Sequence, residues 1–233
     1  MDDDCFRQKG DLAMNKLKVF VLAGQDFLLA EIPDRPFIEK VDLSVLEGVP
    51  WDLHWNCFAE SRFYLSNRIA RSTLLIDEAP EYIGVAAHSW NRKFPFVLPV
   101  EKLDELKLEP NVVWCAAIAG EGWAAESDHH HPGMSEILTV LAEKAGLKKI
   151  AGPAFYCNNF IAHRSVVESF VTWFKKWAVW VHDEYGPIPP YLVNQTRGDK
   201  PLLHPAYLME RLTMLYFANR GDLVVRQIPK VAR

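Results

Sequence analysis

No C-x-x-C pair occurs in this sequence; the four cysteines, Cys5, Cys57, Cys115 and Cys157, stand far apart. That removes a short-spaced dithiol motif and fits free thiols in a reducing cytoplasm. The opening M-D-D-D-C-F-R-Q-K-G lacks a basic region with an apolar core behind it, so it does not read as a secretory signal. No apolar run approaches the length that spans a bilayer. Positive charge is not in excess either: the formal net charge of −4 supplies no global basic field. A protein that grips a phosphate backbone is thereby disfavoured, while a local basic pocket for a small anion stays open. Three motifs are also missing: G-x-x-x-x-G-K-[ST], G-x-G-x-x-G after a strand, and G-x-S-x-G. Their absence argues against a P-loop NTPase, a dinucleotide-dependent dehydrogenase and a standard α/β-hydrolase.

What is present is the composition of a globular chain. Apolar residues are 49% and charged residues 24% of 233, enough to bury a sizeable core. Eight tryptophans and a 12% aromatic share suit core packing, and also stacking on sugars or bases. With no repeat, low-complexity segment or linker, the expectation is a flexible tail over 1–14 and one domain over 15–233.

Hydrophobic periodicity alternates between strand and helix. L-K-V-F-V-L-A, 17–23, is a β-branched run ending at Gly24 and reads as a first strand. Residues 58–71 put Phe58, Arg62, Leu65 and Ile69 on helical spacing. E-Y-I-G-V-A-A-H-S, 81–89, is a strand whose small residues imply close packing, and N-V-V-W-C-A-A-I-A-G, 111–120, is a strand buried on both faces. P-G-M-S-E-I-L-T-V-L-A-E-K-A-G predicts a helix with Lys144 in its last turn and Gly146 just past its end. The stretch A-F-Y-C-N-N-F-I-A-H-R-S predicts a strand running into a long amphipathic helix, on which Phe174, Trp177 and Trp180 could extend an apolar face to a membrane surface. A helix over about 205–219 and a strand at D-L-V-V-R-Q-I complete the pattern. These elements predict one α/β domain with an open, mostly parallel sheet flanked by helices.

Three polar groups stand out from this pattern. E-S-D-H-H-H-P-G, 126–133, offers Asp128, His129, His130 and His131 as metal ligands, since imidazole and carboxylate together suit a divalent ion. Contiguous residues in a loop rarely all reach one ion, and the simpler expectation is a solvated loop in which Asp128 starts the following helix. Glu210 is either an acid favoured near a helix start by the dipole, or a general base at the rim of a cleft. Asn158 and Asn159 interrupt an apolar run, either to cap the helix that follows, with Ser165, or to grip sugar hydroxyls.

The ordered combination of short motifs resembles a group of small bacterial glycosyltransferases linked to capsule and lipopolysaccharide synthesis. E-Y-I-G-V-A-A-H-S-W-N-R-K-F-P is similar to that group's E-Y-I-G-x-x-H-Y-R-R segment, and E-S-R-F-Y-L-S-N, 60–67, to its E-x-x-x-x-Y-x-L-x-N helix. N-N-F-I and A-Y-L-M-E-R-L, 206–212, match two later motifs, in the same order across 17–228. The resemblance implies a GT-A-like fold that binds a nucleotide sugar at the carboxyl ends of its strands. It implies transfer of the sugar to a glycan or lipid-linked acceptor by a cytoplasmic protein, with contact at the inner membrane face left open.

On that implication the segment from Ala23 through Gly24 to Phe27 approaches the nucleotide, Asn158 and Asn159 border the sugar pocket, and His88, Arg92 and Lys93 meet phosphates. Glu210 is the catalytic carboxylate, and Arg211 binds substrate or braces its helix by an ion pair. The metal-binding D-x-D of many GT-A enzymes is missing, the D-D-D at 2–4 being read as part of the flexible tail. A divalent manganese or magnesium ion would need other ligands, with Asp128 and His131 as candidates, unless basic side chains replace it. Two alternatives remain: a catalytically silent nucleotide- or sugar-binding domain, and a metal-dependent hydrolase built on Asp128–His131.

Overall fold

The structure, a computed structural model, describes residues 16–23, 26–46, 59–69, 79–120, 122–130, 133–148, 154–155, 158–185 and 205–231. Strand β1 (Leu17–Ala23) shows how the sheet is built. Its alternate side chains enter different cores: Phe20 and Leu22 join one, Leu17, Val19 and Val21 the other. A strand apolar on both faces must be covered on both, so β1 lies inside a sheet with layers above and below.

After β1 the described chain runs α1 (Asp26–Leu29), β2 (Ile38–Asp42), α2 (Ala59–Leu65), β3 (Tyr82–Ala87), α3 (Trp90–Lys93), β4 (Val112–Cys115) and β5 (Ile118–Ala119). It continues α4 (Trp123–His130), α5 (Met134–Lys144), β6 (Ala154–Phe155), β7 (Phe160–His163), α6 (Arg164–Tyr185), α7 (Pro205–Ala218) and β8 (Val224–Gln227). Six strands form one sheet in the order β2-β1-β3-β7-β4-β8, and β5 and β6 make a separate antiparallel pair. The pairs β1–β2, β1–β3 and β4–β8 are parallel, whereas β7 is antiparallel to both β3 and β4. Five strands therefore point one way and β7 alone points back. The fold is an open α/β sheet, mostly parallel, with helices packed against it.

The larger core lies between one sheet face and α2, α4, α5, α6 and α7. The long helix α6 presents Val167, Phe170, Phe174, Ala178 and Val181 at spacings of three and four, so one stripe is buried. Phe170, Phe217 and Phe160 form an aromatic cluster with centroids 5.0 to 5.5 Å apart; each fully buried ring contributes about 1.5–3 kcal/mol. Phe174 and Trp177 are buried in this core rather than turned to a membrane surface, so that part of the expected exposed face is spent on packing. Trp180 is half-buried, with the Lys144 ammonium 5.6 Å from its ring centroid. Among the described residues no helix is long and apolar enough to cross a membrane.

The second core, on the opposite face, is capped by Trp90, Phe94 and the 3-10 segment Val100–Glu105. Here β3 must be thin. A Cβ on Gly84 would stand 2.9 Å from Ile161 Cγ1 on β7 and 3.1 Å from Val19 Cγ2 on β1, which is the close packing that its small residues predict.

Three local expectations change. The stretch 111–120 is not one strand: pairing with β7 and β8 ends at Cys115, and Ile118–Ala119 pairs with β6 instead. The acidic and histidine-rich stretch is helical from Trp123 to His130 rather than a loop. Strand β2, which the periodicity does not mark, closes one edge of the sheet. Helix α5 ends as predicted. Gly146 takes φ 67°, and Leu147 N and Gly146 N donate to Ala142 O and Glu143 O, the paired bonds of a Schellman end.

Candidate functional site

In an open α/β sheet, ligands collect outside the carboxyl ends of the strands, where the connections diverge to opposite sides. Here the chain leaves β1 for β2 on one side, then crosses to β3 on the other. The switch point therefore lies between the carboxyl ends of β1 and β3, at Ala23 and Ala87. Gly24 follows Ala23 directly and lies outside the described residues. His88 follows Ala87; its backbone N–H donates to Leu22 O at 2.9 Å, which fixes its Cα against the end of β1. Its side chain is half-buried.

Because β7 runs backwards, its first residue lies at this same edge. Phe160 stands opposite Val85 of β3 and Cys115 of β4. Continuing that register puts Asn159 level with Ala86 and Asn158 level with Ala87. Both asparagines are buried, at 2% and 0% exposure for Asn158 and Asn159. Asn159 Oδ1 accepts from Ala87 N at 2.7 Å and so ties the last residue of β3 to the start of β7. Neither amide caps α6. The chain crosses all of β7 before that helix begins, and at its start Ser165 N donates to His163 Nδ1 at 3.3 Å with Ser165 Oγ 2.8 Å from the same nitrogen.

Asn158 differs from its neighbour. Its φ is 51°, and among the described residues no other non-glycine takes a positive φ. Its carbonyl accepts from Tyr64 Oη on α2 at 2.7 Å, while its Oδ1 is buried without a hydrogen-bond partner. Tyr64 itself is fully buried among Phe160, Phe170 and Phe174. Sequence reasoning passes over it, although it is the tyrosine of the E-S-R-F-Y-L-S-N stretch; an aromatic at helical spacing looks like core, and only the fold brings it to residue 158.

Arg92 and Lys93 are exposed at the end of the single-turn helix α3. That helix is anchored by Trp90, whose indole N–H donates to Leu98 O at 3.0 Å, and by Asn91, whose Oδ1 accepts from Val100 N at 2.8 Å. The two cations thus follow β3 on the face of the second core.

Glu210 and Arg211 lie on α7, against the larger core. Glu210 falls in the second turn, beyond the part of a helix where the dipole acts strongly, so a salt bridge replaces that explanation. Arg211 Nη1 donates to Glu210 Oε2 at 2.8 Å, and Arg211 Nε donates to Ser127 Oγ at 2.7 Å. Ser127 Oγ in turn donates to Trp123 O at 2.7 Å. Arg211 is 6% exposed; its bond to Ser127 braces α7 against α4 from inside, while its ion pair with Glu210 lies within α7. Since α7 leads through a short turn into β8, which starts at the amino edge, Glu210 sits on the half of α7 directed towards the carboxyl edge.

Asp128 is used structurally. Its Oδ1 accepts from Ser135 N at 2.8 Å, and its Oδ2 accepts from Ser135 Oγ. Burial would push its carboxyl up, but hydrogen bonds from Ser135, Met134 and Gly133 at the start of α5 outweigh this and hold it below its usual value. Asp128 therefore starts α5. His131 lies outside the described residues. Among the described residues no three histidine, cysteine or acidic side chains gather to hold an ion.

Cys115, at the carboxyl end of β4, is buried, and burial pushes its thiol up to about 12. It is thus a neutral packing group at neutral pH.

The fold and this edge define an open α/β domain with a topological switch point between β1 and β3. No family model matches the sequence, and no curated protein matches it. Among solved structures it is similar to WbbM, a bifunctional glycosyltransferase in its apo form, at 13% identity and a TM-score of 0.48. The match covers 92% of this chain and 45% of that one, so the chain spans under half of that protein's length. A likeness this distant bears no weight for the reaction.

Proposed function

We propose that the chain binds a nucleotide sugar at the carboxyl edge between β1 and β3 and transfers the sugar to a glycan or lipid-linked acceptor. The observation that carries this is the gathering, at one switch point, of groups from separated motifs: His88 after β3 and the buried pair Asn158 and Asn159 before β7. Amides are suited to sugar hydroxyls. The imidazole and the nearby cations Arg92 and Lys93 are suited to a diphosphate. The ordered motifs that resemble capsule and lipopolysaccharide glycosyltransferases support the same reading.

In the transfer, the acceptor oxygen forms a bond to the anomeric carbon as the bond to the donor's phosphate oxygen breaks. The electron pair leaves with the diphosphate, where positive side chains stabilise it. If the anomeric configuration inverts, a base takes the acceptor proton. Glu210 is assigned that role, with Arg211 holding its carboxylate. The Glu210–Arg211 ion pair also favours a second reading, in which the carboxylate is purely structural and the domain binds a nucleotide sugar without turning it over.

The test is a thermal-shift panel of UDP, GDP, CMP and dTDP and their sugar conjugates, with and without magnesium or manganese, followed by an assay of donor hydrolysis. Stabilisation by one nucleotide with slow hydrolysis of its sugar conjugate is the expected result. Stabilisation without hydrolysis selects the silent domain. No response to any nucleotide overturns both readings. With an active protein, Glu210→Gln is expected to reduce turnover by about a hundredfold or more, with melting temperature and donor affinity little changed. Equal losses of stability and activity would make Glu210 structural.

A further inference from the structure

The two adjacent asparagines make different use of their side chains. Asn159 spends its oxygen on Ala87 N and holds β3 to β7. Asn158 spends only its backbone: Tyr64 Oη secures its carbonyl, its φ is 51°, and its buried Oδ1 has no partner. An asparagine at positive φ is ordinary by itself, because its short polar side chain tolerates that region. The unsatisfied oxygen is not ordinary, since a buried acceptor without a donor destabilises the fold. Of the other unpaired buried groups among the described residues, Trp114 and Trp123 carry indole N–H donors and Ser61 and Thr213 hydroxyls. The hydroxyls of Ser61 and Thr213 lie in helices, where they can turn to their own helix's carbonyls. Asn158 lies just before β7 rather than in a helix, and its unpaired atom is an acceptor, which no backbone carbonyl can satisfy. Glycine at 158 would keep the positive φ without cost and remove the orphaned acceptor.

We infer that Asn158 is a ligand-recognition residue whose Oδ1 accepts a hydrogen bond from a hydroxyl of the bound nucleotide sugar, and that Tyr64 is the positioning residue that holds it in the required conformation. This deepens the proposed function and rests on it. The location agrees: extending the β3–β7 register puts Asn158 level with Ala87, at the switch point. A buried hydrogen bond left unmade at the carboxyl edge is one form in which a binding site holds its preorganisation. The hydroxyl has two possible sources, the ribose and the transferred sugar, which share the same donor chemistry.

Asn158→Gly separates ligand contact from structure. Without ligand, this variant is expected to melt at or above the wild-type temperature. Titrated calorimetrically with UDP, GDP and their glucose conjugates, it is expected to bind the preferred nucleotide roughly tenfold more weakly than wild type. If free diphosphate and conjugate weaken alike, the hydroxyl is the ribose's; if only the conjugate weakens, it is the sugar's. Tyr64→Phe is expected to weaken the same ligand, whereas a purely structural tyrosine would lower the melting temperature alone. A wild type that responds to nucleotide beside an Asn158→Gly variant that binds equally well overturns the inference and leaves the function standing. An Asn158→Gly variant that melts well below wild type overturns it also, because the side chain then stabilises the fold. A wild type that binds no nucleotide overturns both.

Discussion

At the scale of single residues, neighbours of the same chemical type do different work. Asn159 is structural in the ligand-free fold: its oxygen accepts from the buried Ala87 N–H. Asn159→Ala is expected to destabilise by about 1–3 kcal/mol, the cost of leaving that donor unpaired. A urea midpoint lowered at unchanged slope would show it, and an unchanged midpoint would refute it. Asp128 is an equally specific case. Asp128→Ala removes the acceptor for the N–H groups that open α5 and is expected to cost about 0.5–2 kcal/mol. A variant of unaltered stability that lost a magnesium or manganese response would instead return Asp128 to the ligand role. The residue types at both positions are legible in the sequence as polar groups out of phase with their surroundings. Their partners, Ala87 and Ser135, are not, because tertiary pairing decides which reading wins.

Glu39 carries a pH dependence. Its Oε2 lies 2.9 Å from Lys18 Nζ, and its Oε1 lies 2.7 Å from Arg68 Nη2, joining β2 to β1 and to the chain just after α2. Burial pushes its carboxyl up, but the bonds to Lys18 and Arg68 outweigh that and hold it below its ordinary 4.5. A carboxyl lowered by folding stabilises the native state above its unfolded value and loses that contribution as pH falls through its folded value. Urea midpoints for Glu39→Gln and wild type are therefore expected to differ at neutral pH and to converge below 4.5. A gap that stayed constant into acid would assign the pair no electrostatic part.

At the scale of elements, legibility followed hydrophobic pattern. β1, β3, α5, α6 and α7 carry strong periodicity or clear end signals, and each lies where it is predicted. β2 has none: Ile38, Glu39, Lys40 and Asp42 are all only half-buried at the sheet's edge, with Val41 alone in the core. An edge strand whose outward residues form ion pairs leaves no alternation to read. The run 111–120 misleads for the opposite reason, since an unbroken apolar stretch does not reveal that the chain changes partner after Cys115. Close approach is testable at this scale. Gly84→Val would press branched carbons into Ile161 and Val19, and is expected to cost about 1–3 kcal/mol, measured by denaturant unfolding. Full tolerance would mean that β1, β3 and β7 separate more easily than their register suggests.

At the scale of the whole molecule, the site depends on a property no single motif contains. The switch point exists because the chain goes from β1 to β2 and then back across to β3, and the site gathers there because β7 runs against its neighbours. Only that reversal brings Asn158 and Asn159, reached from β6, to the edge that His88 reaches from β3. The short motifs have the right order in the sequence, but their convergence becomes visible only with β2 in place. Glu210 and Arg211 lie in a different layer, on α7, braced through Ser127, a residue with no outward signal.

Hydrogen–deuterium exchange with the most stabilising nucleotide sugar tests the central claim most directly, because it reports where on the fold the ligand acts. The account predicts slowed exchange at the carboxyl ends of β1 and β3 and around Asn158 to Phe160, with the amino edge near Asn111 and Val224 unchanged. Protection confined to that amino edge, or to α5 and β8, would contradict it.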